Sequence, residues 1–198
     1  MYLRPAALNY ARRQQYRRLR HAGKTALGSA AGAVLGLVAA SAGMALLAGL
    51  LLLMAAALGL CARRWLSLAR RSRVGARSEE EVQRALAPLE AEDWRLRHSL
   101  PWQGQVDIDS VAIAPTGVGI VIETKTSTYD ECHLARAHEQ AVWLSRRRRR
   151  LCRGGALAIL CVVRARGVQR REHDVLVVSI DHLTPMLRLA AGTDPPVV

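Results

Sequence analysis

Acidic residues are absent before Glu79, and residues 25–62, 38 in all, hold no charged side chain of either sign. The first absence leaves both flanks of that apolar stretch purely basic. The second excludes a surface helix with one face in water, because such a helix carries a charged stripe opposite its apolar one. Phenylalanine is missing altogether, and the bias toward Arg, Ala and Leu is the compositional mark of a high-GC bacterial genome, with no bearing on the fold. Cysteine is scarce. Cys61, Cys132, Cys152 and Cys161 lack the paired spacing of a zinc module, so free thiols in a reducing compartment are expected. The six histidines show no spacing suited to a triad or a zinc site, and no internal repeat is visible.

What fills residues 25–62 is Ala, Leu and Gly. One helix of that length would run about 57 Å, nearly twice the ~30 Å hydrocarbon core of a bilayer. Two short spans fit better, residues 25–40 and 44–62, with a tight turn at Ser41, Ala42 and Gly43. The first span is short and depends on local thinning or on Lys24 reaching the interface. Gly28, Gly32 and Gly36 recur every four residues, a small-residue stripe that lets a second helix approach closely and offers a route to a homo-oligomer. In a segment so rich in Ala and Gly, the same spacing also arises from composition alone. Residues 1–24 hold seven Lys/Arg and residues 63–77 hold six. Under the positive-inside rule both flanks belong in the cytoplasm, which a hairpin satisfies and a single span does not. A cleaved signal peptide is not expected, since the stretch far exceeds a ~7–15-residue apolar region and no small-residue cleavage site precedes the basic segment.

The net charge of +13, from 29 Lys/Arg against 16 Asp/Glu, suggests a nucleic-acid-binding protein. Removing the thirteen flank residues leaves 16 Lys/Arg in residues 79–198 against 16 acids, so that part is formally neutral. The excess serves topology and anionic lipid head groups, each surface cation being worth about 1 kcal/mol. One local exception is Arg146, Arg147, Arg148, Arg149 and Arg150, at the end of a predicted helix. Five in a row exceed what a helix C-terminus uses to complement its dipole, and suit phosphate of a nucleic acid or of lipid.

The chemistry concentrates in Asp107-Ile-Asp109 and Glu123-Thr-Lys125, which read as two adjacent β-strands. Residues two apart on a strand share a face. Between the strands, Pro115, Thr116 and Gly117 suit a three-residue hairpin loop, with Gly in the left-handed position. That loop makes paired numbers sum to 232, setting Asp109 opposite Glu123 and Asp107 opposite Lys125; a two-residue loop would shift the pairing by one. Three carboxylates and one amine then share a patch. Burying acids is costly unless they are paired or bind a cation. A divalent metal held by one or two carboxylates, with waters and a substrate phosphate, is the chemistry such a cluster suits. A nearby lysine offsets charge developing on phosphorus. On spacing alone, the same residues also suit ordinary cross-strand ion pairs on a solvated sheet face, worth roughly 0.2–1 kcal/mol each.

Around this hairpin the elements order themselves as α-β-β-β-α-β-β-α. Ser78 with Glu81 three residues on predicts a helix N-cap and capping box, followed by Val82, Leu86 and Leu89 at helical spacing until Pro88 limits the run. Residues 94–100 alternate like a strand. Residues 129–151 predict a helix with Leu134, Ala137, Ala141 and Leu144 on one face and Gln140 at its edge. Residues 156–163 and 174–180 are buried-strand runs, and Asp181 or Thr184 is expected to cap a last helix through Leu189.

Taken together, Gly75-Ala-Arg-Ser-Glu79, Trp94 with its strand, Asp107-Ile-Asp109-Ser-Val, Gly117 through Glu123-Thr-Lys125, and the helix carrying Gln140 resemble the NERD domain, the nuclease-related domain. That family is similar to the PD-(D/E)XK superfamily of restriction-endonuclease-like nucleases. The resemblance covers roughly residues 74–190. It implies an α/β fold, a restriction-endonuclease-like αβββαβ core with a mixed central sheet, here preceded by the two-helix transmembrane hairpin. It also implies roles: Asp109 and Glu123 as metal-binding acids, Lys125 as the catalytic lysine, Glu79 as the acid on the first helix and Gln140 as the polar residue on the helix after the hairpin. Ser78 stands where family members commonly have a second Gly, and Ser110 where they often have His. Glu79 has an independent reading, since acids in a first helical turn favour the helix dipole.

The resulting expectation is a basic cytoplasmic segment (1–24), a transmembrane hairpin (25–62), a basic linker (63–73), a nuclease-like domain (74–191) and a flexible tail (192–198). The expected function is a membrane-anchored nuclease using Mg2+ or Mn2+ on DNA or RNA, at the cytoplasmic face of a bacterial inner membrane. The alternative is a catalytically inactive module of the same fold that binds nucleic acid or protein there. A third class, a membrane scaffold that only oligomerises, would show an exposed apolar patch in place of an acidic cleft.

Overall fold

The structure is a computed structural model that describes residues 10–103 and 106–192. The chain divides into two compact units, Met1–Val74 and Gly75–Val198. The first is built from helix α1, Tyr10–Ser41, and the greater part of helix α2, Ala45–Leu86. Each contains a stretch long and apolar enough to cross a membrane. Both run further than the spans expected from hydropathy, because the basic residues on either side are good helix formers and continue the apolar segments without a break. Residues 63–73, expected as a linker, are therefore helical. The turn falls where Ser41, Ala42 and Gly43 place it: Gly43 adopts φ +76°, and the Met44 N–H reaches back to the Ala39 carbonyl at 2.9 Å.

The glycine stripe is where the two helices meet. A Cβ on Gly36 would lie 2.9 Å from Leu52 Cγ, and one on Gly32 would lie 3.3 Å from Ala55 Cβ. Ser29 Oγ donates to the Ala55 carbonyl at 2.7 Å, satisfying itself across the interface. From the other side, α2 buries Ala48, Ala55, Ala62 and Ala69, one every seven residues. That period keeps a seam facing its partner along a gently supercoiled pair. The pairing continues beyond the apolar stretch, where Arg18 Nη1 donates to the Leu68 carbonyl at 3.0 Å and His21 stacks on Trp65 at 5.1 Å between ring centroids.

The second unit takes up the last turns of α2, a short 3-10 helix Ala87–Glu92 with Pro88 in its first turn, and six strands. These are β1 (Arg95–Trp102), β2 (Val106–Ile113), β3 (Gly119–Lys125), β4 (Ala156–Val162), β5 (Gln169–Glu172) and β6 (Val175–Ser179). Helix α3 (Glu131–Arg147) connects β3 to β4, and α4 (Ile180–Ala190) follows β6. The sheet order is β1-β2-β3-β4-β6-β5. β1, β2 and β3 are antiparallel, β3-β4-β6 are parallel, and β5 returns antiparallel at the edge. The mixed sheet is sandwiched: Val82 and Leu86 of α2 with Leu183 and Leu187 of α4 cover one face, and Leu134, Ala137, Ala141 and Leu144 of α3 cover the other. Central strand β3, covered on both faces, is buried from Gly119 to Thr124.

Three local readings are corrected. Ser78 is no N-cap, because α2 runs through it without interruption; its hydroxyl instead meets Thr126 Oγ1 at 3.0 Å. The capping box in this domain opens α3, where Asp130 accepts from the His133 N–H at 3.1 Å and the His133 ring accepts from the Asp130 N–H at 3.2 Å. The last helix starts at Ile180 behind Ser179, ahead of both Asp181 and Thr184. Strand β5 was not expected at all. Its sequence Gln-Arg-Arg-Glu is polar throughout, as suits an exposed edge, and gives no apolar alternation to read.

Candidate active site

The Pro115-Thr116-Gly117 loop sets the register of everything that follows. Gly117 takes φ +84°, the Ala114 N–H donates to the Val118 carbonyl at 2.9 Å, and pairs run Ile113↔Gly119 to Ser110↔Ile122, each summing to 232. The ladder then stops one pair short of Asp109 and Glu123. Asp109 takes over with its side chain: Oδ2 accepts the Thr124 N–H at 2.8 Å. On the other edge, β1 pairs His98↔Ser110 and Leu100↔Ile108 but skips the position opposite Asp109, where Ser99 holds φ +52°. A positive φ at a non-glycine residue is an energetic cost of the kind found where function shapes the backbone. Both neighbouring strands thus release β2 at Asp109.

Into this opening β3 delivers Glu123 and Lys125 from the same face. Glu123 is only 4% exposed, and its Oε1 receives the Lys125 ammonium at 2.8 Å. Glu79 arrives from the last turns of α2, held there in part by the neighbouring Ser78–Thr126 bond at the end of β3. Burial, then the charge of Glu123, raises the Glu79 carboxyl to about 7, with Lys125 pulling the other way. Asp109 is likewise pushed well above the ordinary aspartate range, by burial first and then by Glu123 and Glu79, against the opposing Thr124 N–H and Lys125. Three carboxylates from three elements therefore share one ammonium. Asp107, expected opposite Lys125, lies beyond the last β2–β3 pair; on its other edge it pairs with Pro101 of β1, and its charge is a lesser influence on Glu79.

Gln140 lies on the inward face of α3, fully buried, and neither its Oε1 nor its Nε2 has a hydrogen-bond partner among the described residues. Buried amides are nearly always paired, so both orphaned atoms ask for a function. Thr124 Oγ1, beside the Asp109 bond, is orphaned in the same way. His133 is a group the sequence did not point to: burial and then Lys125 hold its imidazole below the usual range, which places it near the acid cluster. Only the fold could reveal this. His98 Nδ1 meets Ser110 Oγ at 2.9 Å, so the serine next to Asp109 is tied to a histidine on the neighbouring strand.

The arginine run lies elsewhere. α3 ends at Arg147, and Arg148 caps it through its backbone N–H on the Leu144 carbonyl. Leu144 packs near Gly119 at the start of β3, whereas Lys125 ends that strand, six residues or about 20 Å away. The run thus follows the end of α3 that packs near the start of β3.

Among the described residues, no three of His, Cys, Asp and Glu form a ready-made metal-holding group. The donor chemistry nonetheless fits a hard divalent cation, which needs only one or two carboxylates and keeps several waters. An excess of carboxylate over ammonium and two strained acids are what such a cation would relieve. Residues 74–151 match the family model of NERD, the nuclease-related domain. The match spans the end of α2, β1 to β3 and α3, and so contains every candidate acid, the lysine and Gln140. No curated protein and no solved structure matches the chain.

Proposed function

We propose that this chain is a membrane-anchored, metal-dependent nuclease that hydrolyses phosphodiester bonds of DNA or RNA on the cytoplasmic side of a bacterial inner membrane. The observation that carries the reading is the meeting of Glu79, Asp109 and Glu123 around Lys125 where the β2–β3 ladder ends and the β1–β2 ladder skips a pair. Asp109 and Glu123, with Glu79 behind them, would hold Mg2+ or Mn2+, and the bound ion would polarise a phosphoryl oxygen and lower the pKa of a water. Lys125, steadied by Glu123, is the donor that offsets charge developing on the phosphoryl group. Gln140 can both donate and accept, and its unpartnered amide suits the orientation of a water or a substrate oxygen.

Anchoring rests on the two apolar helices and their basic flanks, which favour residues 1–24 and 63–198 on the same, cytoplasmic, side and draw on anionic head groups. Because Gly28, Gly32 and Gly36 already face α2 of the same chain, a homo-oligomer through them would have to displace that helix. The test is a nuclease assay with Mg2+ or Mn2+ on single- and double-stranded DNA and RNA, wild type beside Glu123→Ala. Metal-dependent cleavage that disappears in the variant supports the proposal. Nucleic-acid binding without cleavage by the wild type would replace it with a catalytically idle module of the same fold. The formal neutrality of residues 79–198 is what favours that second reading.

A further inference from the structure

The outward side of α3 carries side chains that the acid cluster does not use. His138, Val142 and Arg146 follow one another at four-residue intervals, as do Glu139, Trp143 and Arg147, and with Gln103 they line an open groove of about 650 Å3. Residues 146–151 line a second hollow of about 440 Å3 that shares Arg146 and Arg147 with the first. All five arginines are exposed, and none of their side chains has an acid or other hydrogen-bond partner among the described residues. Five neighbouring guanidiniums with no acid beside them among the described residues repel one another, so an anionic occupant would stabilise them.

We propose that this groove binds single-stranded nucleic acid, with phosphates on the arginine run and a base stacked on Trp143. Flat aromatic groups beside a basic track are what unpaired bases and their backbone require. Trp143 is half-buried and His138 exposed, both on the groove wall. A duplex keeps its base faces stacked inside and offers such a groove only phosphates. A lipid head group would use the guanidiniums and leave the two rings without a role. Glu139 is the acid of the groove, and it disfavours a phosphate at its own position. Gln103, which also lines the groove, stands four residues ahead of Asp107 in the chain. Strand binding is independent of cleavage; the idea that the strand is a substrate rests on the nuclease reading above.

The experiment uses the full chain in nanodiscs of zwitterionic lipid, carrying Glu123→Gln to silence cleavage, with fluorescent oligo(dT) and a duplex of equal length. Oligo(dT) is expected to bind more tightly than duplex. Trp143→Ala should weaken it about tenfold, in line with one lost base stack, while Trp143→Phe keeps both fold and stacking and stays close to the parent. Replacing Arg146 and Arg147 with Ala should lower the slope of log affinity against log salt by about 1.4. Equal binding of both forms with no effect of Trp143→Ala overturns the proposal. So does competition by phosphatidylserine vesicles without any oligo(dT) binding. Metal-dependent cleavage by the wild type that ignores Trp143 and binds no oligo(dT) would sink the groove alone, whereas strand binding without cleavage would sink the nuclease reading alone.

Discussion

Replacing Glu79 with Gln should make the protein more stable at pH 8 and leave it nearly unchanged at pH 5. The Glu79 carboxyl titrates at about 7 in the folded chain against 4.5 ordinarily. Between those values the folded state holds a proton that the unfolded state has released, so stability falls as pH rises through that window and levels off above it. The displacement corresponds to about 3 kcal/mol at 1.36 kcal/mol per pH unit. Gln keeps the shape and cannot ionise. At pH 8 the variant should therefore gain on the order of 1–3 kcal/mol, part of it through relief of Asp109, which feels Glu79 directly. Urea unfolding in detergent micelles, followed by tryptophan fluorescence, reads the difference as a shift in midpoint at constant slope. Mg2+ added at pH 8 should raise the wild-type midpoint and narrow the gap, since a cation among the carboxylates favours their charged forms. A variant less stable than wild type at pH 8, or a difference independent of pH, would refute the reasoning.

Further outcomes follow from the same geometry. Glu123→Gln should abolish cleavage by weakening the metal, since a neutral amide is a poor ligand for Mg2+, whereas Lys125→Ala should slow cleavage about 100-fold or more while Mn2+ binding by calorimetry persists. Loss of metal binding in Lys125→Ala would contradict that division of roles. Gln140→Leu removes two orphaned buried atoms, so stability should hold or rise by about 1 kcal/mol while turnover falls; a large destabilisation would mean that the amide is structurally paired. Reporter fusions at both termini should be active only in the cytoplasm, and an external signal at either end would rule out the hairpin.

The legible parts of this chain are those set by local chemistry. Pro115, Thr116 and Gly117 fix a loop of known length, and from that alone the 232 register follows. Gly43 marks the helical turn because it takes a positive φ. What local patterns misjudged was competition. Ser78-x-x-Glu81 is a valid capping signature, yet nothing upstream stops α2, and an uninterrupted helix satisfies the same backbone groups more simply. The true box at Asp130 escaped notice because its N3 residue is His133 and not the usual Glu or Gln. Alanines every seven residues in α2 were readable, but only to a search for a seven-residue period, which hydropathy hides. The approach of Glu79 to Glu123, and of His133 to Lys125, joins elements more than forty and eight residues apart respectively, and no spacing rule reaches either pair.

Burial bears on the two readings of the acid cluster that spacing left open. Cross-strand ion pairs on a solvated face keep carboxylates near their ordinary titration range and lend a few tenths of a kcal/mol each. Here Glu123 is 4% exposed, and Glu79 and Asp109 are driven upward chiefly by desolvation, with one ammonium between the three acids. Such an arrangement lowers the stability of the metal-free fold, so stability cannot be its purpose. The surrounding backbone points the same way: the β2–β3 ladder ends one pair short of Asp109, the β1–β2 ladder skips the pair there, Ser99 takes a left-handed φ opposite it, and Gln140 is buried with no partner among the described residues. Each of these costs free energy, and sites that bind a cation or a reacting group are where folds sustain such costs. A solvated ion-pair set would require none of them. The cluster is thus better accounted for by what it could hold than by what it contributes to the fold, and this makes the sign of the Glu79→Gln effect the sharper test of the site.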